Sequence, residues 1–164
     1  MENNKKNALE WLESKGLEYE ILEHDPVYTM EEMDAAGITA KGDVCKNLFL
    51  RDQKGKKHYL VVCPEEAHID LSTLATQLRS TKLSFASPER LEKYLNVVQG
   101  CVSPLGVIND AAHEVVVAFD QKLQKTNRMG IHPNDNTATV WVKTAPLKKA
   151  IESLGNKVVY ITTK

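Results

Sequence analysis

The chain has few of the residues that build metal or disulfide frameworks. Its three cysteines, Cys45, Cys63 and Cys101, are odd in number and widely spaced. There is no CxxC, and no two of the five histidines stand at metal-ligand spacing. That pattern argues against a disulfide scaffold and a zinc site, and no cofactor is expected. The phosphate-cradling motifs GxxxxGK[ST] and GxGxxG are missing too. No apolar run approaches the ~20 residues that cross a bilayer. The opening "MENNKKNALEW" lacks the apolar core of a secretion signal. No repeat, low-complexity tract or linker interrupts the 164 residues. The expectation is a single domain over 1–164, cytoplasmic, with reduced thiols and no membrane partner.

What is present is ordinary for a globular chain: 42% hydrophobic and 26% charged residues. The net charge of −1 hides an asymmetry. Residues 1–40 carry ten acids and three bases, and the rest carries twelve acids and eighteen bases. An acidic, solvated first segment accounts for the former. The later basic excess is compatible with a phosphate-rich partner.

Local signals outline the elements. "NNKKNALEWLESKG" reads as an amphipathic helix with Ala8, Leu9 and Leu12 on one face and Gly16 as its stop. "LEYEIL" alternates like a strand. Pro26 makes "HDPVYT" a loop. Thr29 with Glu32 is a capping box ahead of a helix that ends by Gly37. "VCKNLFLRD" and "HYLVVC", joined by "QKGKK", form a hairpin. "DLSTLATQLR" is a helix, and "SPERLEKYL" is a short one with Ser87 as cap and Pro88 in its first turn. "EVVVAFD", "TATVWVK" and "KVVYITT" are strands, and "TAPLKKAIESLG" is the last helix. The count is about seven strands and five helices. Because strands and helices do not alternate regularly, the expected class is α/β of the α+β type: a mixed, largely antiparallel, curved or barrel-like sheet with surrounding helices.

Few residues invite a chemical reading. Lys46 interrupts an apolar strand; it either faces solvent or sits over a cleft to bind a phosphate or hydroxyl. His132 precedes Pro133 and is displayed at a strand entrance, either as a hydrogen-bonded loop residue or as part of a site. Cys45 and Cys63 suit a core. Cys101 would be a nucleophile only with a histidine nearby. It lies in "GCVSPLG", Gly100–Gly106, a loop with no charge and no histidine. Glycine lets backbone approach a ligand and proline stiffens the far end, so such a loop can aim N–H groups at an ester oxygen or its attacking water.

Five stretches together carry a resemblance: "HDPVYTMEEM" from His24, "KNLFLRD" from Lys46, "LSFAS" from Leu83, "GCVSPLG" from Gly100 and "HPNDNTATV" from His132. In order and spacing they are similar to the YbaK and prolyl-tRNA synthetase-associated editing domains, over nearly the whole chain. "HDPVYT" with "KNLFL" looks most like the free-standing alanyl-tRNA(Pro) deacylase branch. The resemblance implies a YbaK-like fold and hydrolysis of the ester joining a wrong amino acid to the terminal adenosine of tRNA(Pro). It implies the tRNA(Pro) acceptor end as partner, with prolyl-tRNA synthetase as a further one.

Residue by residue, the resemblance gives Gly100, Cys101, Val102, Ser103 and Pro104 as the Gly-x-x-x-Pro loop whose backbone contacts the ester and its water. It gives Lys46 as the anchor of the terminal nucleotide, Asn47 as its helper and His132 as the histidine at the site edge. Val27, Tyr28 and Thr29 line the amino-acid pocket. The substrate's ribose hydroxyl would help activate the water, so no protein base is required. Cys101 stands where many relatives carry serine or alanine. The alternatives are a noncatalytic tRNA- or synthetase-binding module, and a deacylase for cysteine or serine esters.

Overall fold

The computed structural model describes residues 3–164. Helix α1 (Asn4–Ser14) buries Asn4, Ala8 and Leu12. Asn4 Nδ2 donates to the Asn96 carbonyl at 2.6 Å, tying the helix to a distant part of the chain. Strand β1 (Tyr19–Glu23) follows, then the short helices α2 (Met30–Ala35) and α3 (Ile38–Lys41). The N-cap half of the expected capping box forms: Thr29 Oγ1 accepts the Glu32 N–H at 3.1 Å.

The hairpin also forms. Strands β2 (Cys45–Arg51) and β3 (His58–Pro64) pair antiparallel, with Lys46 opposite Cys63 and Asn47 opposite Val62. Helix α4 (Leu71–Leu78) is capped by Asp70, whose side chain accepts the Ser72 N–H at 3.0 Å. Strand β4 (Ser84–Phe85) precedes helix α5 (Pro88–Leu95), where Ser87 Oγ accepts the Arg90 N–H at 3.3 Å. A 3-10 turn over Pro104–Asn109 leads to β5 (Val115–Asp120), and a second over Gln121–Lys125 leads to β6 (Arg128–Ile131). Strand β7 (Ala138–Lys143), helix α6 (Thr144–Ser153) and strand β8 (Val158–Ile161) complete the order.

The strands form two sheets, β1-β7-β6 and β4-β2-β3-β5-β8. Four of the six pairings are antiparallel; β3 with β5 and β5 with β8 are parallel. The class is thus the mixed, mainly antiparallel one expected. Instead of closing into one barrel, the sheets meet at a parallel bridge between Val44 and Gly130. A Cβ at Gly130 would lie 2.8 Å from Trp141 Nε1 and 2.9 Å from Val44 Cγ1, so only glycine permits this approach.

The main core lies between the sheets. Phe49, Leu60, Val62, Val117 and Phe119 come from one sheet and Met129, Ile131, Val140 and Val142 from the other. Each such side chain contributes about 1.5–3 kcal/mol on burial. A second cluster, with Leu50, Tyr59 and Val61, packs the outer face of the larger sheet against Leu74 and Ala75 of α4. Strands β4 and β6, with two and four residues, escape the sequence reading.

Candidate active site

Strand β2 pairs with β4 only at Leu50 and Arg51. Its first half therefore leaves an open edge, and a cavity of about 460 Å³ sits there. Cys45 to Phe49 form one wall. Phe85, Ala86, Pro88 and Leu91 line the cavity too, as do Val27, Tyr28 and Met33. Gln99, Gly100, Val102 and His132 close the remaining side, and Glu65 stands at the start of the chain leaving β3.

Gly100 explains the loop's composition. Its φ is +91°, and an added Cβ would lie 2.9 Å from Tyr28 Cε1. The Tyr28 ring covers the glycine while staying 71% exposed. Its backbone neighbour is held by Asn136, which is 5% exposed. Asn136 Oδ1 accepts the Val27 N–H at 3.3 Å, and Asn136 Nδ2 donates to the Val27 carbonyl at 2.8 Å. This clip across 109 residues fixes Val27 and Tyr28 over the loop.

Past Gly100 the loop turns alternately in and out. Val102 lines the cavity. Cys101 is 9% exposed and joins the main core, and Ser103 and Pro104 are buried. Ser103 Oγ accepts the Leu105 N–H at 3.1 Å and caps the following 3-10 turn. Burial pushes the Cys101 thiol up, opposed in part by a hydrogen bond from the Asn136 backbone. Cys45 and Cys63 are pushed up by burial as well, Cys63 to about 11. Low thiolate content leaves all three poor nucleophiles.

The Lys46 ammonium donates to the Ala67 carbonyl at 2.5 Å. Beside it, Asn47 Oδ1 is buried with no donor among the described residues. His132 Nδ1 donates to the Ala138 carbonyl at 3.1 Å. Burial, then the neighbouring His24, hold the His132 pKa below its ordinary value. The ring is therefore neutral near pH 7, with the proton on Nδ1 and the Nε2 lone pair free to accept. His24 is anchored at both nitrogens, to the Asp25 carbonyl at 2.8 Å and Thr139 Oγ1 at 2.9 Å.

Of the residues singled out from sequence, Lys46, Asn47, Gly100, Val102, Val27, Tyr28 and His132 meet around one cavity. Thr29, Cys101, Ser103 and Pro104 do not line it: Thr29 caps α2 and the others point inward. Sequence reasoning missed Asn136, Glu65, Phe85 and Gln99. The "HPNDN" segment, read as a strand entrance, gave no sign that Asn136 reaches Val27.

The sequence profile described as "Aminoacyl-tRNA editing domain" matches residues 24–150, which span every segment around the cavity. The chain belongs to the aminoacyl-tRNA editing domain family. Among editing-domain relatives, the "Prolyl-tRNA editing protein ProX" of Acetoanaerobium sticklandii is 49% identical over 145 residues, 88% of each chain. The "Prolyl-tRNA synthetase associated domain-containing protein 1" of Danio rerio is 33% identical, over 90% of this chain and 81% of that one. A solved structure described as a candidate trans-editing enzyme for prolyl-tRNA synthetase aligns over 98% of this chain and 96% of that one, with TM-score 0.71 and 19% identity, and shares the fold.

For an editing domain the chemistry on offer is narrow. Among the described residues no group of three or more His, Cys, Asp or Glu is arranged to hold a metal. Among the described residues no helix is long and apolar enough to cross a membrane. Among the described residues the cavity offers one ammonium, one carboxylate, a neutral imidazole acceptor and a chargeless loop.

Proposed function

We propose that the chain is a trans-editing hydrolase that deacylates alanyl-tRNA(Pro), releasing alanine and free tRNA(Pro). The observation that carries the reading is one cavity joining Lys46, the Gly100–Val102 backbone and the Val27–Tyr28 wall. In this reading residues 1–164 act as one cytoplasmic editing domain, correcting errors of prolyl-tRNA synthetase. Such correction is needed because a synthetase pocket gains only ~1–3 kcal/mol from the carbons that distinguish proline from alanine.

Lys46 anchors the terminal nucleotide by charge and hydrogen bonds, and Asn47 assists. Backbone N–H groups of the Gly100 loop orient the ester carbonyl, where they stabilise developing negative charge. The neutral His132 accepts a hydrogen bond at Nε2 from the water or a ribose hydroxyl. The water oxygen bonds to the carbonyl carbon. The bond from that carbon to the ribose oxygen breaks, and the water's proton ends on the ribose hydroxyl. The Cys101 thiol takes no part.

Selectivity follows from size. Val27, clipped by Asn136, and the Tyr28 ring bound the space beside the ester. Extra carbons in a filled pocket cost about 1–3 kcal/mol. At the transition state that strain slows proline release by roughly 5- to 150-fold. The seryl ester, larger by one hydroxyl, is a partial substrate.

The test compares hydrolysis of alanyl-, seryl- and prolyl-tRNA(Pro) by the wild type and by Lys46→Ala. Rapid alanine release, slow proline release and a folded but nearly inactive variant are expected. RNA binding without hydrolysis would show a noncatalytic module instead.

A further inference from the structure

Among the described residues, Glu65 is the one carboxylate lining the cavity. Its N–H donates to the Val44 carbonyl at 3.2 Å, extending the hairpin register past Pro64. Two residues beyond Cys63, it falls on the sheet face that Cys63 shares with its partner Lys46. Yet Lys46 and Glu65 do not pair. The ammonium turns to the Ala67 carbonyl. Among the described residues the Glu65 carboxylate has neither an ion-pair partner nor a hydrogen-bond donor. Half-burial pushes its pKa up, and Lys46 pulls it back down.

A half-buried carboxylate without a protein donor is an acceptor that a ligand's donors can fill. An aminoacyl ester brings a strong set. Its α-carbon, bonded to the reacting carbonyl, carries an ammonium with three N–H donors. Lys46 repels that ammonium, so a counter-charge is needed on the same side of the site.

We propose that Glu65 is a specificity-determining residue that receives the α-ammonium of the aminoacyl ester. The site therefore prefers α-amino esters over esters of α-hydroxy or N-blocked acids. This rests on the deacylase reading above. Fixing the ammonium two bonds from the carbonyl carbon also aims that carbonyl at the Gly100 loop.

The experiment compares alanyl-tRNA(Pro) with lactyl-tRNA(Pro), in which a hydroxyl replaces the ammonium at nearly the same size. Single-turnover rates are corrected for buffer hydrolysis of each ester. Glu65→Gln keeps the shape and removes the charge. It should lose about 10- to 150-fold on the alanyl ester, the factor carried by a hydrogen bond between charged groups. On the lactyl ester it should stay near the wild-type rate. Glu65→Asp, which keeps the charge, should recover part of the alanyl preference. Equal losses on both esters would overturn the proposal, because Glu65 would then act through Lys46 or the fold. An unchanged alanyl rate would overturn it as well. Circular dichroism of both variants separates these results from unfolding. A wild type inactive on alanyl-tRNA(Pro) would overturn the deacylase reading itself, and this inference with it.

Discussion

Gly100→Ala probes the geometry on which size selection depends. Two costs follow from the structure. The φ of +91° charges any L side chain about 1–2 kcal/mol. For a chain of this length each kcal/mol lowers Tm by about 2–4 °C, so a fall of about 2–8 °C is expected. The new Cβ also meets Tyr28 Cε1 at 2.9 Å. Because the Tyr28 ring is largely exposed, it swings away rather than compressing its surroundings. The wall beside the amino acid then opens, and the alanyl-over-prolyl preference should shrink several-fold. Gly16→Ala is the control. Its φ is +70°, nothing lies within 4 Å of its Cβ, and it is remote from the cavity lining. It should lose similar stability with selectivity untouched. Adding Tyr28→Ala to Gly100→Ala should restore no selectivity, since the wall is already displaced. Thermal melts and paired deacylation assays read both quantities. The reasoning fails if Gly100→Ala keeps wild-type selectivity, or if Gly16→Ala loses as much of it.

Cys101→Ser should stay within about threefold of wild-type activity, since the thiol faces the core; a folded but dead variant would bring back a covalent route. His58 is buried against Phe49 and Tyr94 and accepts from Arg90 Nη1 at 2.9 Å. Burial first, then Arg90, lowers its pKa to about 4 from 6.5. The unfolded chain thus binds the proton more readily, and His58's contribution to stability is full above pH 6.5 and is lost as pH falls toward about 4. Urea midpoints measured across that window should fall, and His58→Gln should flatten the slope; an unchanged slope would contradict the assignment.

Much of the local structure was legible because its causes are local. Thr29 Oγ1 and Ser87 Oγ each accept the helix N–H three residues on, that of Glu32 and that of Arg90. The β2–β3 hairpin is written in two β-rich runs and a short polar turn. The residues Lys46, Gly100 and His132 stood out because each departs from its surroundings: a charge in an apolar strand, a glycine in a chargeless loop, a histidine before proline; Asn47 came only with the family resemblance. By contrast, the parallel pairing of β5 with β3 and β8 joins segments far apart in sequence, and no local pattern specifies such a partner. Strand β6 is too short for an alternating pattern and exists because β7 offers it an edge. Tertiary structure alone decided which loop side chains face the cavity, turning Val102 outward and Cys101, Ser103 and Pro104 inward. It alone brought Asn136 to Val27 and set Glu65 unpaired beside Lys46. Sequence records which groups a chain carries. Which of them lack partners, and so await a ligand, depends on the packing of every other element around them.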